Sequence, residues 1–393
     1  MISVDEALAR CFALITPLPH EDVPLRQAVG RVMVTPAVAR LTQPPFAASA
    51  MDGYALGQTG IAGGQYEVIG EAAAGHGFDR ALLPNQAVRI STGAPLPSGA
   101  VSIIIQEDCD IVDTTLTLKA SANKQDNIRP LGQDFVLGQS LPAPRRLRPN
   151  DLALLAAMNI PQVTVSRRPN VALMATGDEL VMPGEEPGRD QIIASNIFAL
   201  AAMIEAAGGC ARILPIAHDN EASLRTVFDL AADADIIVTI GGASVGDHDL
   251  VAKVATSLGL ERAFWKIAMR PGKPLMAGRL GNALMLGLPG NPVSSIVCAH
   301  LFMVPMILAM QGLPAAGAQT QTAVLDQDMP ATGPRTHYMR ARLGDIAGQR
   351  TIRAFDKQDS ALLTILSEAD ALLIRPAGDG PRSAGETVSF IAI

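Results

Sequence analysis

Residues 235–249, which read DIIVTIGGASVGDHD, decide the fold of this chain. The run from Ile236 to Ile240 contains only Ile, Val and Thr, a composition typical of a strand buried on both faces of a parallel sheet. The glycines and small polar residues after it predict a tight connection to a helix, whose backbone N–H groups can converge on a phosphate or another oxyanion. A connection that merely needs glycine explains the same composition equally well.

Strands and helices alternate on both sides of this stretch. We predict strands at 171–175, 211–216, 235–240, 263–268, 275–278 and 283–288, and helices at 195–207, 220–232, 250–258 and after residue 291. Residues 169–313 therefore form a doubly wound α/β domain. Its binding sites are expected at the carboxyl ends of the strands.

A chain of 393 residues is expected to form several domains, and the segments on either side of the α/β domain follow other sequence patterns. Short apolar runs between Gly and Pro predict a β insert at 44–138 and a small β-barrel domain at 314–393. Apolar periodicity predicts helix through residues 1–40, so 1–43 and 139–168 are interpreted as one split helical domain that makes a dimer contact. The predicted fold class is multidomain α/β plus β.

Composition excludes several classes of function. Aromatic residues are 4% of the chain, too few for base-stacking platforms, and a net charge of -7 opposes a grip on phosphate backbones, so nucleic acid is not an expected partner. The four cysteines lie far apart in sequence, which favours a reducing, cytoplasmic compartment. Residues 292–310 carry no formal charge, but His300 and Pro305 interrupt them, so we predict a buried helix and no membrane span.

Four loops carry residues suited to binding an oxyanion or a metal. Lys266, Arg270 and Lys273 lie within eight residues, and the prolines among them restrict where the charges point. The loop 288–295 ends a strand and starts a helix, with Asn291 as the expected cap, although an ordinary helix start has the same pattern. Acids follow the strands at 178–179 and at 247–249, where carboxylates suit a metal better than a phosphate, although acids that cap a turn are common.

Seven motifs, in this order, closely resemble the molybdopterin molybdenumtransferase family, which includes bacterial MoeA and the E domain of gephyrin. They are SAMDGYA (49–55), RISTGAPLP (89–97), NIRPLGQD (127–134), ATGDEL (175–180), GGASVGDHD (241–249), FWKIAMRPGKP (264–274) and LPGNPVS (288–294). The resemblance implies the same four-part subunit and an elongated homodimer with sites drawn from both chains. It also implies insertion of molybdate into adenylylated molybdopterin with release of AMP in a Mg²⁺-assisted step.

The resemblance also implies residue roles. The catalytic residues it implies are Asp52, Thr92, Asp134, Glu179, Asp219 and Asp249, with Glu179 and Asp249 as metal ligands. The molybdopterin and adenylate residues it implies are Gly241, Gly242, Ser244, Gly246, Asp247, Lys266, Pro289, Asn291 and Pro292. The molybdate residues it implies are Arg270, Lys273, Ser294, Arg340 and Ser360. Further partners that it suggests are a molybdopterin adenylyltransferase and molybdoenzyme maturation factors.

The sequence departs from the family pattern at three places. Arg270 stands where Lys is usual, Gln133 where Glu is frequent, and Ala47-Ala48 where Asp-Asn is common. Arginine keeps the charge and adds a bidentate fork, so oxyanion binding is expected to survive with altered geometry. Two alternative functions are a non-catalytic scaffold or cofactor carrier of the same fold and an enzyme that adenylylates molybdopterin. Asp52, Glu179, Asp249 and Lys273 argue against the scaffold, which has no chemical need of them. The β insert and the C-terminal β domain argue against the adenylylating enzyme.

Overall fold

A computed structural model of the chain describes residues 1–121, 127–241 and 250–393. The N-terminal segment contains α1 (Val4–Ala13), β1 (His20–Pro24), a 3-10 turn (Leu25–Gln27), β2 (Val32–Met33) and β3 (Ala37–Val38). Ser3 caps α1 by accepting a hydrogen bond from Glu6 N. The prediction of helix through residue 40 is wrong beyond Ala13. Prolines 17, 19, 24 and 36 interrupt any longer helix, because each lacks the N–H that a helical turn requires.

The insert is all β, as predicted. Its strands are β4 (Ala48–Ser49), β5 (Gly53–Leu56), β6 (Gln65–Ala72), β7 (Gln86–Ile90), β8 (Ser102–Ile105), β9 (Cys109–Val112), β10 (Thr115–Leu118) and β11 (Ile128–Arg129), with a 3-10 turn at Gln106–Asp108. Six of them form one sheet in the order β8-β5-β7-β6-β10-β9, and β4 pairs with β11.

The chain then returns to its N-terminal segment. The returning elements are β12 (Ser140–Leu141), β13 (Arg145–Arg146), α2 (Pro149–Ala157) and β14 (Gln162–Ser166). The sheet β1-β14-β2-β13 and the pair β3–β12 join the two segments. This split domain is therefore mainly a sheet with one helix, whereas the sequence pattern predicted helices. The α1 helix lies elsewhere, because Val4, Ala7 and Cys11 pack into the core of the α/β domain.

The α/β domain follows the predicted alternation. Its elements are β15 (Asn170–Ala175), β16 (Leu180–Val181), β17 (Ile192–Ile193), α3 (Asn196–Ala206), β18 (Cys210–Ile213), α4 (Glu221–Leu230), β19 (Ile236–Ile240), α5 (Leu250–Ser257), β20 (Glu261–Trp265), β21 (Met269–Arg270), β22 (Met276–Leu280), β23 (Ala283–Leu288), α6 (Pro292–Cys298) and α7 (Val304–Met310). The sheet order is β18-β15-β19-β23-β22-β20, with the first four strands parallel. The residues of β19 are all buried, as their composition predicts.

A π-helical turn, Ala299–Met303, joins α6 to α7 and makes 292–310 one continuous helix. The helix is long and apolar enough to cross a membrane, yet 78% of its most apolar window is buried inside the fold. Phe302, Met303 and Met306 lie in the same core as the parallel strands. The helix is therefore a core element of the α/β domain, as predicted.

The C-terminal domain is a closed five-stranded barrel. Its elements are β24 (Gln321–Leu325), β25 (Thr336–Ile346), β26 (Gln349–Ala354), α8 (Leu363–Ser367), β27 (Ala371–Arg375) and β28 (Thr387–Ala392). Pairing of β25 with β27 closes the barrel. The short strand β21 of the α/β domain adds to β25 in parallel, so Arg270 lies in register with His337.

Candidate active site

A cleft of about 850 Å³ opens at the carboxyl ends of β15, β19 and β23. Sites of doubly wound sheets are expected at this edge, because the loops after neighbouring parallel strands meet there. The lining includes six residues that the sequence had singled out: Glu179, Asp219, Gly241, Pro289, Asn291 and Pro292. Gly242, Ser244, Gly246, Asp247 and Asp249 lie outside the described residues.

Close backbone packing shapes the floor of the cleft. Gly241 N donates to Leu288 O at 3.2 Å, and Thr176 N donates to Ile240 O at 3.0 Å. Gly241 has a φ of 94°, and a Cβ built on it would lie 2.8 Å from Thr176 O. Glycine is therefore required at this position to let two strand-end loops approach each other, in addition to any role in binding.

Two acids line the cleft from neighbouring loops. Gly177 N donates to Ala217 O at 3.1 Å, which joins the loop of Glu179 to the loop of Asp219. Asp178 strengthens this junction, because its Oδ1 accepts a hydrogen bond from Asp219 N at 3.2 Å and lies 3.1 Å from His218 Nδ1. The junction joins the two loops that carry Glu179 and Asp219, both of which line the cleft.

The donor set fits Mg²⁺ that is shared with a phosphate. No group of three or more His, Cys, Asp or Glu side chains arranged to hold a metal occurs among the described residues. Mg²⁺ needs fewer protein ligands than that, since it commonly takes one or two carboxylates and completes its shell with waters and substrate phosphate oxygens. Glu179 and Asp219 can supply those carboxylates.

Some cleft residues were not singled out as binding residues from the sequence. Thr176 and Ser195 line the cleft, and Asn196 also donates from Nδ2 to Gly290 O at 2.7 Å. Thr176 lies inside the ATGDEL motif, which was the available signal. Ser195 and Asn291 occupy the cap positions of α3 and α6, but neither side chain makes a cap bond to its helix. Ser195 Oγ instead donates to Asn196 Oδ1 at 3.3 Å.

A second polar site lies beside the cleft, around Arg340 of the barrel. This side chain is fully buried, at 0% exposure. Its Nη2 donates to Asp359 O at 2.9 Å, whereas Nε and Nη1 have no partner among the described residues. Burial lowers the pKa of Arg340, and the nearby Arg270 lowers it further. Buried donors normally have partners, so these two remain available to a ligand.

The surroundings of Arg340 are positively charged. Arg270 is exposed and makes no ion pair with any described residue. His337 Nε2 is buried without a partner in the described part of the chain. Burial, followed by the charges of Arg270 and Arg340, lowers the pKa of His337 to about 4, so its ring is neutral at pH 7. The cluster presents unpaired donors and positive charge, as a tetrahedral oxyanion requires.

The turn 359–361 connects the two sites. Ser360 O accepts a hydrogen bond from Val293 N at 3.0 Å, in the first turn of α6, and Ala361 lines the cleft. Ser294, also in this first turn, is buried. A pocket for an oxyanion at Arg340 would therefore adjoin a cleft of the size that a nucleotide needs.

The remaining cations lie on the loop between β20 and β22. Lys266 has a φ of 68°, and its Nζ lies 3.8 Å from the centroid of the Trp265 ring. Lys273 is half-buried and makes no ion pair with a described residue. Gly272 packs this loop on α6, since a Cβ there would lie 2.4 Å from Cys298 Sγ. Neither lysine lines the cleft itself.

The insert carries an exposed acid with a defined partner. Asp52 Oδ1 accepts hydrogen bonds from Thr92 N at 2.6 Å and Thr92 Oγ1 at 2.9 Å, and these two bonds lower the pKa of Asp52. Asp134 is exposed, and its backbone N donates to Gln43 O at 3.1 Å. Within the described part of this one chain, no insert residue lines the cleft.

Three family models match successive parts of the chain. They are described as MoeA N-terminal region (domain I and II), at residues 2–159, "Probable molybdopterin binding domain", at 172–309, and MoeA C-terminal region (domain IV), at 322–393. The three matches correspond to the split domain with its insert, the α/β domain and the barrel.

Named relatives match over nearly the whole length. Molybdopterin molybdenumtransferase of Nostoc sp. (strain PCC 7120 / SAG 25.82 / UTEX 2576) is 34% identical, over 100% of this chain and 94% of its own. The protein of the same name from Haemophilus influenzae is 32% identical, over 99% and 98%. A crystal structure of the molybdopterin biosynthesis moeA protein from Pyrococcus horikoshii OT3 has a TM-score of 0.85 at 25% identity, with 100% of both chains covered.

Proposed function

Because the chain belongs to the molybdopterin molybdenumtransferase family, we propose that it inserts molybdate into adenylylated molybdopterin and releases AMP in molybdenum cofactor biosynthesis. The observation that carries this proposal is Arg340, a fully buried cation with two unpartnered donors beside a cleft of about 850 Å³. A buried cation without an anion is unfavourable, and molybdate is an anion that can satisfy it.

We assign molybdate to the cluster around Arg340. Arg340 supplies Nε and Nη1, and Arg270 supplies an exposed guanidinium without an ion pair, whose charge acts on Arg340. The set that the motifs imply is completed by Lys273 on the loop between β20 and β22, Ser294 in the first turn of α6 and Ser360 in the turn 359–361. Fixed donors of this kind hold an oxyanion without reorganisation when charge shifts during the reaction.

We assign adenylylated molybdopterin to the cleft. The loops of Gly241 and Pro289 offer close backbone approach, and Thr176 and Asn196 add polar side chains at the floor. Glu179 and Asp219 would hold Mg²⁺ together with a phosphate oxygen, and the same role is proposed for Asp249. When bound, Mg²⁺ neutralises negative charge on the phosphate that leaves with AMP.

We propose a homodimer in which the insert of each chain completes the cleft of its partner. The Asp52–Thr92 pair is exposed, and no insert residue lines the cleft of its own chain within the described residues. A symmetric dimer would bring two such pairs to two clefts. Molybdopterin adenylyltransferase and molybdoenzyme maturation factors would be transient partners that supply the substrate and accept the product.

We place the reaction in the cytoplasm. All four cysteines are unpaired, and Cys11, Cys109 and Cys298 are buried thiols, as is common in a reducing compartment. A scaffold or carrier without turnover is the alternative function. The unsatisfied donors of Arg340 weigh against it, because a protein that only displays a surface has no need of them.

The experiment that tests the proposal measures AMP release from adenylylated molybdopterin by the purified full chain. We expect release that depends on both molybdate and Mg²⁺, with phosphate at equal concentration as the control anion. AMP release that is equal with and without molybdate would refute molybdate transfer. Tight binding of the adenylate with no release under any condition would support the carrier.

A further inference from the structure

Gln358 makes three hydrogen bonds that all concern the backbone around Arg340. Its Oε1 accepts from Arg340 N at 3.0 Å, and its Nε2 donates to Arg340 O at 3.0 Å and to Phe355 O at 2.8 Å. One amide side chain therefore bonds to both backbone polar groups of the residue whose Nε and Nη1 have no partner in the described part of the chain.

The strand pairing explains why this amide is needed. The ladder between β25 and β26 runs from Ile346 and Gln349 to Ala341 and Ala354, and it ends one residue before Arg340. Beyond that point β26 has ended, and the chain turns away through Phe355, whose N still donates to Arg340 O at 3.0 Å. Gln358 extends the ladder by one residue, because a side-chain amide offers a donor and an acceptor just as a peptide group does.

The same turn reaches the cleft. Arg340 Nη2 donates to Asp359 O at 2.9 Å, and Asp359 Oδ1 accepts from Ala361 N at 2.8 Å. Ser360 O then accepts from Val293 N at 3.0 Å. Gln358 thus anchors the start of a short turn whose other end rests on α6.

We propose that Gln358 is a positioning residue for the oxyanion site and acts through Arg340. By fixing the backbone on both sides of the Arg340 Cα, it holds the side chain so that Nε and Nη1 face the oxyanion. Its own amide is fully used by backbone groups, so it does not touch the oxyanion itself. This inference rests on the proposed function, because it assigns the free donors of Arg340 to molybdate.

Glutamine suits this position better than its close relatives. Methionine has a similar length but forms none of the three bonds. Glutamate keeps the acceptor for Arg340 N, loses both donors, and adds a negative charge beside the cation that the oxyanion must reach. Both replacements should therefore weaken molybdate binding, although by different routes.

The test compares Gln358→Met with Gln327→Met in the full chain. Gln327 is a matched control, because it is a half-buried glutamine of the same barrel whose Nε2 donates to Ala354 O at 3.2 Å. Calorimetric titration with sodium molybdate gives the Kd, thermal melting gives the stability, and molybdate titration of AMP release separates KM from kcat.

We expect Gln358→Met to raise the Kd and the KM for molybdate by about tenfold or more, as expected when at least one charge-assisted bond is lost, with a smaller change in kcat. Gln327→Met should leave both within about twofold and should lower the melting temperature less, because it removes one hydrogen bond whereas Gln358→Met removes three. If the two variants change the Kd and the KM for molybdate equally, the inference is overturned. If Gln358→Met does not fold, Gln358→Glu replaces it, and unchanged molybdate affinity in that variant has the same meaning.

The parent chain separates two kinds of failure. If it binds molybdate and releases AMP but tolerates both Gln358 variants, the positioning role is wrong and the proposed function stands. If it does not bind molybdate at all, the proposed function and the positioning role are both wrong.

Discussion

Replacing Arg340 with Met removes a fully buried guanidinium and keeps a shorter, unbranched apolar side chain. Without a ligand, this change removes two unsatisfied buried donors, each of which costs about 1–3 kcal/mol, and loses one bond to Asp359 O, worth about 0.5–1.5 kcal/mol. The ligand-free Arg340→Met protein should therefore be as stable as the parent or more stable, by up to a few kcal/mol.

Molybdate binding should change in the opposite direction. Two charge-assisted hydrogen bonds of about 1.5–3 kcal/mol each would be lost, so the Kd for molybdate should rise by more than about 100-fold. Urea denaturation measures the first effect, and calorimetric titration with sodium molybdate measures the second. A gain or no change in stability combined with a large loss of affinity is the signature of a residue that is held ready for a ligand.

Arg375→Met is the matched control. Arg375 is equally buried in the same barrel, but its Nε donates to Asp379 and its Nη2 donates to Pro330 O and Gly380 O. Its removal should lower the free energy of unfolding by about 1–3 kcal/mol, because Pro330 O and Gly380 O lose a donor while Asp379 keeps Arg382, and should leave molybdate affinity almost unchanged. The reasoning fails if Arg340→Met behaves like this control, with lost stability and retained molybdate affinity.

Three further predictions concern the dimer, the metal and a buried histidine. Mixed Asp52→Asn and Lys273→Ala chains should recover about a quarter of the AMP-releasing sites if each site is shared across a two-fold axis, and no recovery in confirmed mixed dimers would contradict sharing. Glu179→Gln should raise the Mg²⁺ concentration needed for AMP release, whereas Asp190→Asn, at an exposed acid outside the cleft, should not; equal Mg²⁺ dependence would remove Glu179 from the metal site. Burial lowers the pKa of His337 from 6.5 to about 4, so the unfolded chain takes up this proton at a higher pH than the folded chain does. The free energy of unfolding should therefore fall as the pH decreases from 6.5 to 4, and His337 should not change it above pH 6.5. Urea denaturation across pH 4–7 should show a shallower slope for His337→Gln, and an identical slope would be inconsistent with a neutral buried ring.

The α/β domain was predictable because its signals are local. A run such as Ile236–Ile240 has few structural alternatives to a buried strand, and the loop at its end then lies at the binding edge of the sheet. The same logic predicts that Glu179 and Pro289 lie at this edge, and both residues line the cleft. The motif resemblance added Arg340, which no local pattern marks as unusual.

Other features depend on long-range contacts that sequence periodicity does not contain. Residues 20–38 form short strands because β12, β13 and β14 return from the far side of the insert to pair with them. Asn291 has the sequence of a helix cap but makes no cap bond. The role of Gln358 depends on the residue at which the β25–β26 ladder ends, which is a property of the folded barrel.

The most direct test of the account locates the metal itself. Crystals of the full-length protein soaked in sodium molybdate, with data collected at the molybdenum absorption edge, would show the position of the bound oxyanion by anomalous scattering. The account predicts a molybdenum peak beside Arg340 Nε and Nη1 and next to Arg270, in both chains of a dimer and absent from Arg340→Met crystals. A saturated soak with no peak at Arg340, or with an ordered peak only at another site, would contradict it.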